Sequence, residues 1–166
     1  MVGTGTSLTA RFAEINETPL FPAFNNPKYW GIPERYNTSK LLLLMFIHKL
    51  KDYVSGNDVV VNVADPGLIK NAGMDRYAPA FVKVTFSIMR ALFARSAPAG
   101  AWTLANAAVV KPDSTHGSWL SHYTVYPFPK VMFKTDGKKA TEKVWEEALA
   151  ELQWADVRGI LASMKE

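Results

Sequence analysis

The chain predicts an α/β fold built on a small parallel sheet. Three observations carry this: a helical stretch behind Pro33, a β-branched run at Val59–Val63 closed by Asp65-Pro66-Gly67, and further helical patterns leading to a second short strand at Gly117–Ser121. The 166 residues suit one domain and are enough to bury a core. Hydrophobic residues at 48% and charged residues at 20% are ordinary for a globular protein.

Taken in order, residues 1–33 read as irregular. Pro19, Pro22, Pro27 and Pro33 forbid a long helix, which leaves room for a short one over Ala10–Glu17. Pro33 suits the first turn of a helix running to about Tyr53, and Gly56, flanked by Ser55 and Asn57, stops it. Val59–Val63 is expected as a buried strand and Leu68–Tyr77 as a loop. Pro79–Arg95 carries Phe81, Val84, Ile88 and Leu92 at helical spacing. Pro98 opens another helix to about Val110, and Pro112 ends it. After the strand at Gly117–Ser121, Tyr123–Phe133 reads as loop because of Pro127 and Pro129. Thr135 is the expected N-cap of a helix over Lys138–Leu152, buried through Trp145, Leu149 and Leu152. A last short helix covers Ala155–Met164. Two strands leave a sheet edge and apolar helix faces uncovered, so a closed dimer is expected.

Several function classes are set aside. There is no cysteine, hence no disulfide, thiolate chemistry or cysteine-based zinc site. His116 and His122 have no carboxylate pair nearby and His48 stands alone on a helix, so no metal site is expected. The net charge is +4, but the densest basic cluster (Lys130, Lys134, Lys138, Lys139, Lys143) alternates with apolar and acidic residues. That is a solvated face rather than a nucleic-acid patch. The longest apolar run, Leu41–Ile47, is too short to span a bilayer, and the opening Met-Val-Gly-Thr-Gly-Thr lacks the pattern of a signal peptide, so a cytoplasmic protein is expected.

The chemistry-bearing feature is Tyr36-Asn37-Thr38-Ser39-Lys40. A phenol and an ammonium four residues apart share one helix face. The ammonium can lower the phenol pKa, so that the pair moves a proton to or from a carbonyl or alcohol oxygen. The bare spacing arises by chance about as often as not in a chain of this composition. Its surroundings make it specific: Arg35 to Leu42 opens a helix that leads to Val59-Val60-Val61-Asn62-Val63-Ala64-Asp65-Pro66-Gly67.

This helix–strand–Pro-Gly order resembles the second half of a short-chain dehydrogenase/reductase, in the fungal retinol-dehydrogenase-like branch. Ser114-Thr115-His116-Gly117-Ser118-Trp119-Leu120 and the Gly137–Leu149 helix with Val144-Trp145-Glu146-Glu147 are similar to that branch too, so the likeness covers the whole chain. It implies a truncated Rossmann-like fold, completed by dimerisation or by a partner chain. It implies Tyr36 as acid/base and Lys40 as its ammonium partner. Pro66 and Gly67 would form the turn against the nicotinamide, and Asn71 falls where a cofactor-contacting threonine is common. The family's serine aligns with Thr4, with Thr6 and Ser7 as alternatives.

The family's glycine-rich turn and catalytic asparagine belong to its first half. Gly3-Thr4-Gly5-Thr6 lacks the strand that a phosphate loop needs in front of it. The expectation is therefore no cofactor in the isolated chain, and NAD(P) only where a partner supplies the glycine-rich half. The reaction expected is proton transfer on a small apolar carbonyl-bearing metabolite in fungal secondary metabolism. The apolar Pro79–Arg95 helix suits such a substrate or, equally, a subunit contact. The alternatives are a redox enzyme completed by another chain, or a non-catalytic remnant.

Overall fold

The computed structural model describes residues 1–70, 73 and 79–164; Asn71 lies outside the described residues. Its sheet has the order β1 (Val63–Asp65), β2 (Trp119–Ser121), β3 (Thr124–Tyr126). β1 and β2 are parallel, with Ala64 opposite Leu120. β2 and β3 are antiparallel. The sheet is therefore mixed, and Tyr123–Phe133, expected as loop, contributes a strand. The hairpin that makes it turns on His122 and Tyr123, at φ 51° and 63°. Two left-handed residues make the tight hairpin turn, but they are not the Asn or Gly that usually mark one.

A second correction concerns the amino end. Met1–Gly3 is not irregular: Val2 bridges Ala64 in parallel on the side of β1 away from β2. The Gly3 amide donates to the Ala64 carbonyl at 2.9 Å, and the Ala64 amide to the Met1 carbonyl at 2.9 Å. Thr4 thus follows a paired extended segment. Gly5–Thr9 then forms a 3-10 turn. Ala10–Glu17 is not a helix, because Phe12 sits in the left-handed region at φ 47°.

Helices α1 (Leu20–Phe24) and α2 (Ile32–Leu50) follow. α2 has Pro33 in its first turn, as expected, and stops short of Tyr53. The strand expected over Val59–Val63 joins the ladder only at Val63. Upstream, the Val61 amide donates to His116 Nδ1 at 3.2 Å and its carbonyl accepts from Gly117 at 2.7 Å. After β1 come α3 (Ala80–Phe93) and α4 (Ala97–Ala105), the latter continued by a π-helical turn over Asn106–Val110. The chain closes with α5 (Thr135–Glu151) and α6 (Val157–Ser163). Thr135 is the first helical residue of α5 rather than its cap, whereas Asp156 caps α6 with its side chain on the Gly159 amide.

Strand alternation sorts the core into two layers. Val63 and Trp119 pack on Leu41, Leu44 and Met45 of α2 and on Ala140 and Val144 of α5. Ala64 and Leu120 face the other way, onto Leu104 and Ala107. A third cluster joins Val54, Trp145 and Leu149 to Leu161 of α6. Helix α3 stands apart, with Val84, Ile88, Leu92 and Phe93 between 58% and 73% exposed.

Candidate active site

Met1–Gly3, β1 and β2 run in one direction, so the residues that follow them emerge at the same end of the sheet. These are Thr4, Pro66-Gly67 after the last β1 residue Asp65, and His122-Tyr123 after the last β2 residue Ser121. In open α/β sheets this carboxyl end is where ligands bind.

Lys40 of α2 contacts the segment that leads to Thr4, and Tyr36 lies one turn earlier on the same helix. Both are half-buried. The Lys40 ammonium lies 5.8 Å from the centroid of the Tyr36 ring and donates to the Val2 carbonyl at 3.1 Å. The helix pair is thereby tied to the segment that delivers Thr4. Thr4 Oγ1 is set at the start of the 3-10 turn, accepting from the Thr6 amide at 3.4 Å and the Thr6 hydroxyl at 3.5 Å. Of the alternatives, Ser7 is buried and spends its hydroxyl on the Thr4 carbonyl at 2.9 Å, while Thr6 is exposed.

Two carboxylates that the sequence reading passed over organise this site. Asp65 is buried and accepts from the Gly5 amide through one oxygen and the Gly67 amide through the other, both at 2.8 Å. It clamps the Thr4 loop to the Pro66–Gly67 turn. Gly67 sits at φ 75°, a conformation that suits glycine. The local half of this clamp is an Asx turn, which Asp-Pro-Gly advertises. The other half spans 60 residues and has no local signal.

Glu34 is the second carboxylate. Its Oε1 accepts from the Arg11 and Phe12 amides at 2.7 and 3.0 Å and from the Thr38 hydroxyl at 3.0 Å. Beside it Arg35 pairs with Glu14, which is fully buried, donates to the Phe24 carbonyl at 3.0 Å and lies over the Phe24 ring. These bonds anchor the first turns of α2 on either side of Tyr36.

The histidines lie elsewhere. His116 accepts the Val61 amide, and His48 packs edge-on against Phe128 and Phe133, where burial and then Lys51 push its pKa below the ordinary value. Among the described residues no three His, Asp or Glu side chains are placed to hold a metal. Nor is Gly3-Thr4-Gly5 a phosphate cradle. The Gly3 amide is spent on Ala64 and the Gly5 amide on a carboxylate, which would repel an anion.

The chain matches several fungal proteins over nearly its whole length. It is 40% identical over 165 residues to the short chain dehydrogenase/reductase mfmJ of Annulohypoxylon moriforme, covering 99% of this chain and 48% of that protein. The chain belongs to the short-chain dehydrogenase/reductase family. The short chain dehydrogenase virL of Hypocrea virens is 32% identical over 90% of this chain and 44% of its own length. The short-chain dehydrogenase fogG of Aspergillus ruber is 30% identical over 99% and 49%. The chain spans about half the length of the curated relatives it matches. No family model and no solved structure matches it. The small helix-flanked sheet is in keeping with a truncated Rossmann-like fold.

The nicotinamide nucleotide that the family implies is met by part of what it needs. The Lys40 ammonium keeps donors beyond the one given to Val2. The Pro66–Gly67 turn presents a glycine held at its required φ by Asp65. These residues fit the nicotinamide-ribose end. The Gly-Thr-Gly segment does not fit the pyrophosphate. No helix of the described residues is long and apolar enough to cross a membrane.

Proposed function

We propose that this chain is a proton-transfer catalyst derived from a reductase, acting on a small apolar carbonyl-bearing metabolite in fungal secondary metabolism by isomerisation, cyclisation or dehydration. The observation that carries this reading is the Lys40 ammonium held between the Tyr36 ring and the Val2 carbonyl. Tyr36 gives a proton to the substrate oxygen, or takes one from it, and Lys40 offsets the negative charge that develops on the phenol. Thr4 Oγ1 accepts from Thr6, so its own proton is available to the same substrate oxygen. Asp65 keeps Thr4 and the Pro66–Gly67 turn in register around it. Each proton removed is returned, so these reactions need no external oxidant or reductant.

A second reading is favoured by the relatives, which carry the name dehydrogenase and are about twice as long. In it another polypeptide supplies the nucleotide-binding half. Lys40, Pro66 and Gly67 then hold the nicotinamide end, the nucleotide supplies hydride chemistry, and Tyr36 still handles the proton.

The deciding experiment replaces Tyr36 with Phe and Lys40 with Met in the producing strain, with melting temperature as the check on folding. Loss of one pathway product while the protein stays folded is expected. An unchanged product profile would leave the chain a non-catalytic remnant. Micromolar NADPH quenching the tryptophan fluorescence of the purified chain would move the assignment to a self-contained redox enzyme.

A further inference from the structure

Arg95 has no place in the scheme above, yet its backbone is tied on both sides just beyond the Pro66–Gly67 turn. Its amide donates to the Leu68 carbonyl at 2.8 Å, and its carbonyl accepts from Lys70 at 2.9 Å. Ile69 and Arg95 thus form a parallel bridge just beyond the Pro66–Gly67 turn. The side chain crosses Gly67: a Cβ placed there would stand 3.7 Å from Arg95 Cδ and 3.9 Å from Nε. The guanidinium carbon ends 5.8 Å from the centroid of the Tyr123 ring. Tyr123 is itself fixed by the left-handed hairpin, where the neighbouring His122 Nδ1 lies 3.0 Å from Ser121 Oγ.

Among the described residues, no carboxylate or other acceptor pairs with this guanidinium. Asp65, beside the same turn, is committed to the Gly5 and Gly67 amides. From Arg76 to Pro112 the sequence has no Asp or Glu at all. A half-buried arginine pinned at its backbone, flanked by an aromatic ring and with no anion beside it among the described residues has the fork geometry that matches a carboxylate or a phosphate.

We propose that Arg95 is an oxyanion-binding residue at the mouth of the candidate site, taking a carboxylate or phosphate group of the ligand, with Tyr123 forming the adjoining wall. The inference stands on Arg95 and does not require Tyr36 to be catalytic. Calorimetric titration of the full chain at constant ionic strength tests it with benzoate, pyrophosphate and the neutral benzamide. At least one oxyanion should bind about tenfold or more tighter than benzamide, and Arg95→Gln should abolish that preference. A preference for benzoate assigns the oxyanion to a carboxylated metabolite, and a preference for pyrophosphate assigns it to a nucleotide. Binding no tighter than benzamide, or a preference that survives Arg95→Gln, overturns the proposal. Should Arg95→Gln lower the melting temperature, Arg95→Lys keeps the charge without the fork and must weaken oxyanion binding in a folded chain; undiminished binding counts against the assignment. Tyr36→Phe should leave the preference intact, which separates failure of this inference from failure of the proton-transfer reading.

Discussion

Replacing Asp65 with Asn tests the clamp on which the site's geometry depends. The wild-type carboxylate accepts two backbone amides, one per oxygen, at 2.8 Å each and with little exposure to water. A hydrogen bond to a charged group contributes about 1.5–3 kcal/mol. Asn has one acceptor oxygen, so one amide keeps a weaker, neutral bond while the other faces an NH2 donor. The expected loss is about 2–3 kcal/mol, and about 3–5 kcal/mol for Asp65→Ala, which strands both amides. For a domain of this size 1 kcal/mol corresponds to about 2–4 °C, so Asp65→Asn should melt about 4–12 °C lower. Urea unfolding by circular dichroism gives the energy. Amide exchange at Gly5 and Gly67 gives the location, since those two protons should lose protection more than their neighbours. A change below about 0.5 kcal/mol, or unchanged exchange at Gly5, would refute the clamp.

Leu44 is fully buried between α2 and the sheet, so Leu44→Ala should cost about 3–5 kcal/mol in urea unfolding. A methyl group at Gly137 would run into the Val131 carbonyl, which is backbone and cannot swing aside. Gly137→Ala should therefore destabilise, despite alanine's better helix propensity, by an amount near the top of the ~1–3 kcal/mol range for overpacking, measured the same way. His48 has its folded-state pKa lowered by burial and by Lys51, so below about pH 6.5 the unfolded chain binds a proton that the folded chain resists. Stability should be full above that pH and fall on acidification. His48→Gln should flatten that part of a urea-midpoint profile between pH 7.5 and 5.

What the sequence made legible follows from the range of the forces involved. Tyr36 and Lys40 were readable because a helix brings residues four apart together wherever it forms, and Pro33 announced that helix. The Pro66–Gly67 turn was readable because its chemistry lies in adjacent residues. The missed parts are those in which distant segments supply each other's partners. Met1–Gly3 looks irregular until β1 pairs with it, and β3 depends on His122 and Tyr123 accepting left-handed backbone without the usual residues. The long-range half of the Asp65 clamp and the placement of Arg95 carry no local signal. Their significance comes from what lies opposite: two amides for the carboxylate, and for the guanidinium a tyrosine ring with no paired anion among the described residues. That contrast bears on function. A carboxylate whose acceptors are saturated by the chain's own backbone serves the fold. An arginine pinned at its backbone, whose guanidinium meets no acceptor among the described residues, has its donors in reserve at the carboxyl end of the sheet. The Tyr36–Lys40 pairing was thus visible locally, whereas the position of Arg95 across Gly67 became visible only once the fold had formed.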